Sequence, residues 1–161
     1  MPYRIGQSTD IHPLVKDRPL ILGGVHIESD LGAFGHSDAD VLSHVIAEAI
    51  LGALALGDLG KHFPDTDPKY KGISSLLILE ACVEKMKEMN YSIGNIDALV
   101  LLEKPKLANY MSQIKRRLCE VLKIDEDQLN LKATRGEKLG FVGRSEGIMG
   151  QAVVLLVRNH D

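Results

Sequence analysis

The stretch HSDADVLSHVIAEAILGALALG, residues 36–57, changes the rhythm of the chain. Its apolar residues Val41, Leu42, Val45, Ile46, Ala49, Ile50 and Leu54 recur at helical spacing and stop near Gly57, which predicts a helix with one face on a core. Ser37 or Asp38 is the expected N-cap, because a side-chain oxygen there can accept a free backbone N–H of the first turn. Upstream, Tyr3 to Thr9 and Leu20 to Ile27 read as strands, separated by a turn over Pro13 to Pro19 with two prolines and three charges. Downstream, a loop rich in Gly, Pro and Asp runs from Gly57 to Gly72. A second helix is expected from Ser74 or Ser75 to about Met89, with Leu76, Leu77, Leu79, Ala81, Cys82 and Met86 in the core. A strand over Ser92 to Leu102, a helix over about Met111 to Leu122, and strands at Leu129 to Thr134 and Gln151 to Arg158 complete the pattern. This order, β-β-α-α-β-α-β-β, predicts an α/β class fold of the α+β sandwich type, a mixed sheet with helices on one face, in one domain spanning residues 1–161.

Composition narrows the function. A chain of 161 residues with 45% apolar and 25% charged residues is long enough for one sizeable core and is not a disordered segment. Aromatics are 4% with no Trp, and the net charge is −3, which argues against a nucleic-acid partner needing stacking platforms or a positive surface. The longest apolar run, Ala49 to Leu56, is broken by Gly52 and falls far below the ~20 residues that span a bilayer, so no membrane partner is expected. No basic n-region with an apolar stretch is read at the start, so a cytoplasmic location, or a mature domain, is expected. Cys82 and Cys119 fall at helical apolar positions and read as reduced core residues.

Five segments are the candidates for carrying chemistry. In Asp10-Ile11-His12 the carboxylate and imidazole stand at i and i+2, on one face of a strand, so both can converge on one ion; a local hydrogen-bonded pair is the simpler alternative. In residues 36–44, His36 and Ser37 crowd a helix start whose free N–H groups suit a phosphate, and His44 lies one turn above Asp40. Asp10, His12 and His44 together would make a three-ligand zinc site with its fourth position open, the form suited to catalysis. The segment 57–67 reads on composition as a capping glycine and Asx turns. Glu103 to Leu107 and Ala133 to Arg144 read as ligand-facing loops, because Lys and Arg in Gly-rich turns suit phosphate.

These residues also carry a resemblance. Arg4-Ile5-Gly6 leading to Asp10-Ile11-His12, His36-Ser37-Asp38-Ala39-Asp40-Val41 with His44, Glu48-Ala49-Ile50-Leu51-Gly52, Gly57-Asp58-Leu59-Gly60-Lys61, Phe63-Pro64-Asp65-Thr66-Asp67, Lys138-Leu139-Gly140-Phe141 and Gly143-Arg144 stand in the order of one family. The chain resembles the 2-C-methyl-D-erythritol 2,4-cyclodiphosphate synthases of the non-mevalonate isoprenoid pathway from end to end. The resemblance implies a lyase, a homotrimer with active sites between adjacent subunits, that closes a cytidine diphosphate derivative of methylerythritol 2-phosphate to a cyclic diphosphate and releases CMP. It implies zinc on Asp10, His12 and His44, with Asp10 and His12 also facing substrate. His36 and Ser37 would meet the phosphates. Asp58, Leu59 and Gly60 would hold the methylerythritol moiety, with Phe63, Pro64, Asp65, Thr66 and Asp67 nearby. Lys104, Pro105, Lys106, Leu107, Ala133 and Thr134 would form the cytidine pocket. Glu137 would hold a second divalent ion, magnesium or manganese, and Phe141 and Arg144 would complete the site. His36 would act in catalysis; Arg135, which the resemblance does not supply, can serve the diphosphate in catalysis through its guanidinium or turn to solvent.

Three positions depart from the family pattern. Ser8 stands where a Gly is common, Val45 where a small residue is usual, and Arg135-Gly136 where a Thr pair precedes the Glu. The same residues would also suit a zinc-dependent phosphate-ester hydrolase or a non-enzymatic trimer that binds nucleotide and metal.

Overall fold

A computed structural model describes residues 2–159. In chain order the elements are β1 (Tyr3–Val15), β2 (Leu20–Leu22), β3 (Val25–Ile27), β4 (Gly32–Ala33), α1 (Val41–Ala53), α2 (Leu59–His62), α3 (Ser75–Glu88), β5 (Tyr91–Leu101), α4 (Met111–Leu122), β6 (Leu129–Thr134), α5 (Gly140–Gly143) and β7 (Gly147–Arg158), with 3-10 turns at Pro68–Tyr70 and Glu126–Gln128. The main sheet runs β4-β1-β7-β5-β6. Only β5 and β6 are parallel, and α4 provides the crossover that a parallel pair requires. The mixed sheet is the one predicted. The described residues hold no helix long and apolar enough to cross a membrane.

Period-two alternation in β1 sets the two faces. Gly6 and Ser8 are buried, whereas Tyr3, Ile5 and Ile11 point outward, Ile5 being 71% exposed. β7 repeats this beside it, in register from Tyr3↔Val157 to Pro13↔Gly147. On the inner face α1 lies across β1 and β7, α3 packs on α1, and α4 packs on α3 and β6. Two glycines let α1 come close. A Cβ on Gly6 would fall 1.8 Å from the Ala49 carbonyl oxygen, and one on Gly150 would fall 2.9 Å from Val41 Cγ2. The apolar residues of α1 are buried nearly all round, and only His44, Glu48 and Gly52 escape, at i, i+4 and i+8. That line forms one narrow flank of the helix.

Several local expectations are corrected. The N-cap of α1 is Asp40, not Ser37 or Asp38. Asp40 is fully buried and accepts from Ser43 N and Oγ and from the backbone N–H groups of Gly23 (2.9 Å) and Gly24 (2.7 Å). Burial pushes its carboxyl up, against those donors. Asp38 instead binds the hydroxyl and backbone N–H of Ser75 at the start of α3. Residues 20–27 form a hairpin rather than one strand, because Gly23 and Gly24 take positive φ at its turn. The expected turn at Pro13 begins three residues late, since Leu14 and Val15 pair with β4. β7 starts at Gly147, four residues early. In α3 the core side is Ile78, Leu79, Cys82, Val83 and Met86, while Leu77 is 56% exposed. Cys82 and Cys119 are free and buried, as predicted.

Candidate functional site

The approach of α1 to β1 sets His44 over Asp10. His44 Nδ1 lies 3.3 Å and His12 Nε2 2.8 Å from Asp10 Oδ2, and one ligand atom from each of the three residues falls within 4.8 Å of the others. Bonds of about 2.0–2.1 Å at tetrahedral angles would place neighbouring ligand atoms roughly 3.3 Å from each other, so the spacing suits a small divalent ion. The outer ring nitrogens are held as metal ligands require. His12 Nδ1 lies 3.0 Å from the Phe34 carbonyl, which can only accept, so the proton sits on Nδ1 and the Nε2 lone pair faces inward. His12 Nε2 is closed off from water and lacks hydrogen-bond geometry to any partner among the described residues, despite its short distance to Asp10. His44 Nε2 meets Ser37 Oγ at 3.1 Å, which leaves Nδ1 for an ion beside Asp10. A buried ring nitrogen 2.8 Å from a carboxylate oxygen and beside a second imidazole fits a bound cation.

Electrostatics agree. Burial works to raise the Asp10 carboxyl, but hydrogen bonds and charge from His12 and His44 outweigh it and hold the group well below the usual range. Burial likewise works to lower His12, but the Asp10 carboxylate, the Phe34 carbonyl and the charge of Asp38 together outweigh it and raise the imidazole. The contact thus favours the carboxylate form of Asp10 and the protonated form of His12 over their ordinary balance.

A cavity of about 250 Å³ opens on this cluster and brings together Asp10, His12, His36, Ser37, His44, Leu59, Phe63 and Asp65 of the predicted residues. The others of that segment turn elsewhere. Asp58 caps α2 through Lys61 N (2.9 Å), Asp67 caps the 3-10 turn and pairs with Lys69, and Gly60, Pro64 and Thr66 do not line the cavity. Glu48 was not predicted from its chemistry. One turn beyond His44, it accepts from Ser8 Oγ (2.5 Å) and Leu59 N (3.4 Å), tying β1 and α1 to the loop under the cavity. Its spacing from His44 was the available signal.

The other predicted residues lie elsewhere. A second cavity of about 420 Å³ is lined by Pro105, Lys106, Leu107, Ala133, Thr134 and Arg135, with the Lys104–Pro105 peptide cis at its rim; Lys104 itself is not in the lining. The two cavities share no residue. Asp10 pairs with Gly150, Gly150 with Val100, and Val100 with Ala133, so they stand three strands apart, roughly 14 Å across the sheet. Glu137 is 76% exposed, its carboxylate 3.5 Å from Arg135 Nη2. Arg144 pairs with Glu146 at 2.8 Å, and Phe141 packs against Gly147.

The YgbB family model matches residues 3–157. A protein of Lachnospira eligens named 2-C-methyl-D-erythritol 2,4-cyclodiphosphate synthase is 55% identical over 153 residues, 95% of this chain and 84% of that one. One of the same name from Desulfitobacterium hafniense is 53% identical over 155 residues, 96% of this chain and 98% of that one. Among solved structures, IspF of Plasmodium falciparum in complex with CDP superposes with a TM-score of 0.86 at 35% identity, covering 98% of this chain and 97% of that one. The bifunctional IspDF of Campylobacter jejuni gives 0.93 at 39% identity, covering 98% of this chain and 42% of that longer one.

Proposed function

The chain belongs to the YgbB family, and we infer from that membership and from its site that it converts 4-diphosphocytidyl-2-C-methyl-D-erythritol 2-phosphate to 2-C-methyl-D-erythritol 2,4-cyclodiphosphate with release of CMP, as a phosphorus–oxygen lyase of the non-mevalonate isoprenoid pathway. The observation that carries this reading is the convergence of Asp10, His12 and His44 on one point, with His36 and Ser37 on the wall of the same cavity.

The reaction is an internal phosphoryl transfer. An oxygen of the 2-phosphate attacks the β-phosphorus and the CMP oxygen leaves on the opposite side. The nucleophile is already an anion, so the chain needs no strong base; it must hold two repelling anions in line. Asp10, His12 and His44 would hold zinc, and Glu137 a magnesium or manganese ion. Such ions, when bound, neutralise phosphate charge. His36 and Ser37 orient the phosphates at the metal side. Phe63 and Asp65 bound the methylerythritol moiety, with Asp58, Leu59, Gly60, Pro64, Thr66 and Asp67 shaping that loop. Lys106, Pro105 and Leu107, with Lys104 at the rim, face the cytidine along with Ala133 and Thr134, and Phe141 and Arg144 close the far end. Arg135 stands where a threonine is common in the family, and its guanidinium can donate to the diphosphate in place of the hydroxyl.

The chain works as a homotrimer in which one subunit supplies the metal side and its neighbour the nucleotide side. Support comes from the two clefts, which share no residue in one chain, and from the outer sheet face, where Ile5, Ile11 and Val153 stand in water. Phosphorus NMR on the purified protein with the cytidine diphosphate substrate and added zinc and magnesium tests the reaction. Equal amounts of cyclic diphosphate and CMP are expected. Release of inorganic phosphate, or no turnover, would overturn the reading.

A further inference from the structure

Glu103 touches neither cavity's lining, yet it stands between Leu102 of the second cavity wall and the loop that carries Arg135 and Glu137. Its Oε2 accepts the backbone N–H of Gly136 at 2.9 Å and its Oε1 that of Lys138 at 3.3 Å. The residue between those two amides is Glu137. Glu137 and Lys138 both have positive φ, 51° and 65°, a backbone conformation that side chains other than glycine rarely adopt. From the other side the loop is pressed on α5, since a Cβ on Gly136 would fall 2.4 Å from Gly143 N. So a carboxylate clasp and a glycine contact hold an unfavourable turn, and the Glu137 side chain is left exposed between them.

We propose that Glu103 is a positioning residue: its two carboxylate oxygens clasp the amides on either side of Glu137, so that the nucleotide cavity wall and the carboxylate offered to the second cation move as one body. This rests on the reading of the second cavity as the nucleotide side. The clasp needs two acceptors. A glutamine has the same shape but only one acceptor oxygen, and its amide N–H groups would face a backbone N–H. A residue that only filled space would be replaced by glutamine without loss.

The test compares wild type, Glu103→Gln and Glu103→Ala by amide hydrogen exchange at Gly136 and Lys138 and by calorimetric titration of CDP with and without Mg²⁺. In both variants, exchange at those amides rises about tenfold or more, and the gain in CDP affinity that Mg²⁺ confers falls about tenfold. Zinc content stays at the wild-type value, since Glu103 lies outside the Asp10 cluster. Unchanged exchange in Glu103→Ala, or wild-type CDP affinity and Mg²⁺ dependence in Glu103→Gln, overturns the proposal. A wild-type chain that binds no CDP overturns the nucleotide reading itself and the proposal with it, and the wild-type titration alone reveals that case.

Discussion

Each histidine of the candidate metal cluster turns its outer ring nitrogen to the chain, His12 Nδ1 to the Phe34 carbonyl and His44 Nε2 to the Ser37 hydroxyl. These contacts set tautomer and ring angle without touching the ion, so Ser37→Ala is expected to weaken zinc binding roughly 10- to 100-fold with little loss of stability, read by competition with a chelating dye. An affinity equal to wild type would show that the hydroxyl does not orient His44. Protons give a second prediction. The His12 pKa is raised, so its pairing with Asp10 stabilises the metal-free fold below the ordinary histidine value and is lost as pH climbs through the raised one. The Asp10 pKa is depressed, so the same pair is lost on acidification below the ordinary carboxylate range. Zinc bound there would have to displace the His12 proton, so its affinity is expected to rise as pH climbs through the raised histidine value. A flat profile across that value would contradict the protonated pair. Asp10, His12, His36 and Ser37 were legible because i, i+2 spacing on a strand and polar crowding at a helix start are local signals. The bridging roles of Glu48 and Glu103 were not, because their partners, Ser8 and Leu59 for one and Gly136 and Lys138 for the other, meet them only through tertiary packing.

At the scale of elements, metal geometry depends on how near α1 comes to β1. Gly6 faces the Ala49 carbonyl with no room for a methyl group. Gly6→Ala must push the helix outward, at a cost of about 1–3 kcal/mol. The shift would draw His44 from Asp10, so zinc affinity falls along with the denaturant midpoint. A variant that loses stability but keeps wild-type zinc affinity would separate the metal site from the helix position. Helical periodicity located α1, α3 and α4 well, since each has a stripe to bury. What it could not set was phase within Leu76-Leu77-Ile78-Leu79, four apolar residues in a row, of which the fold buries Ile78 and Leu79 and leaves Leu77 in water. Nor could it choose the N-cap. Asp40 prevails over Ser37 and Asp38 because the hairpin turn at Gly23 and Gly24 brings it two further N–H donors from far along the chain.

For the molecule as a whole, the decisive features are the separation of the two clefts across the sheet and the apolar outer face beside them. A closed ring of three chains would cover that face and bring the cleft at Asp10 of one copy to the cleft at Lys106 of the next. The most direct measurement is cyclic diphosphate formation by a mixture of His12→Ala and Lys106→Glu chains after verified subunit exchange. Each variant alone is expected to be nearly inactive. In a random equal mixture, about a quarter of the sites pair an intact metal side with an intact nucleotide side, so activity should recover to about a quarter of wild type. No recovery after exchange would mean that the site lies within one chain or that these residues do not serve this reaction.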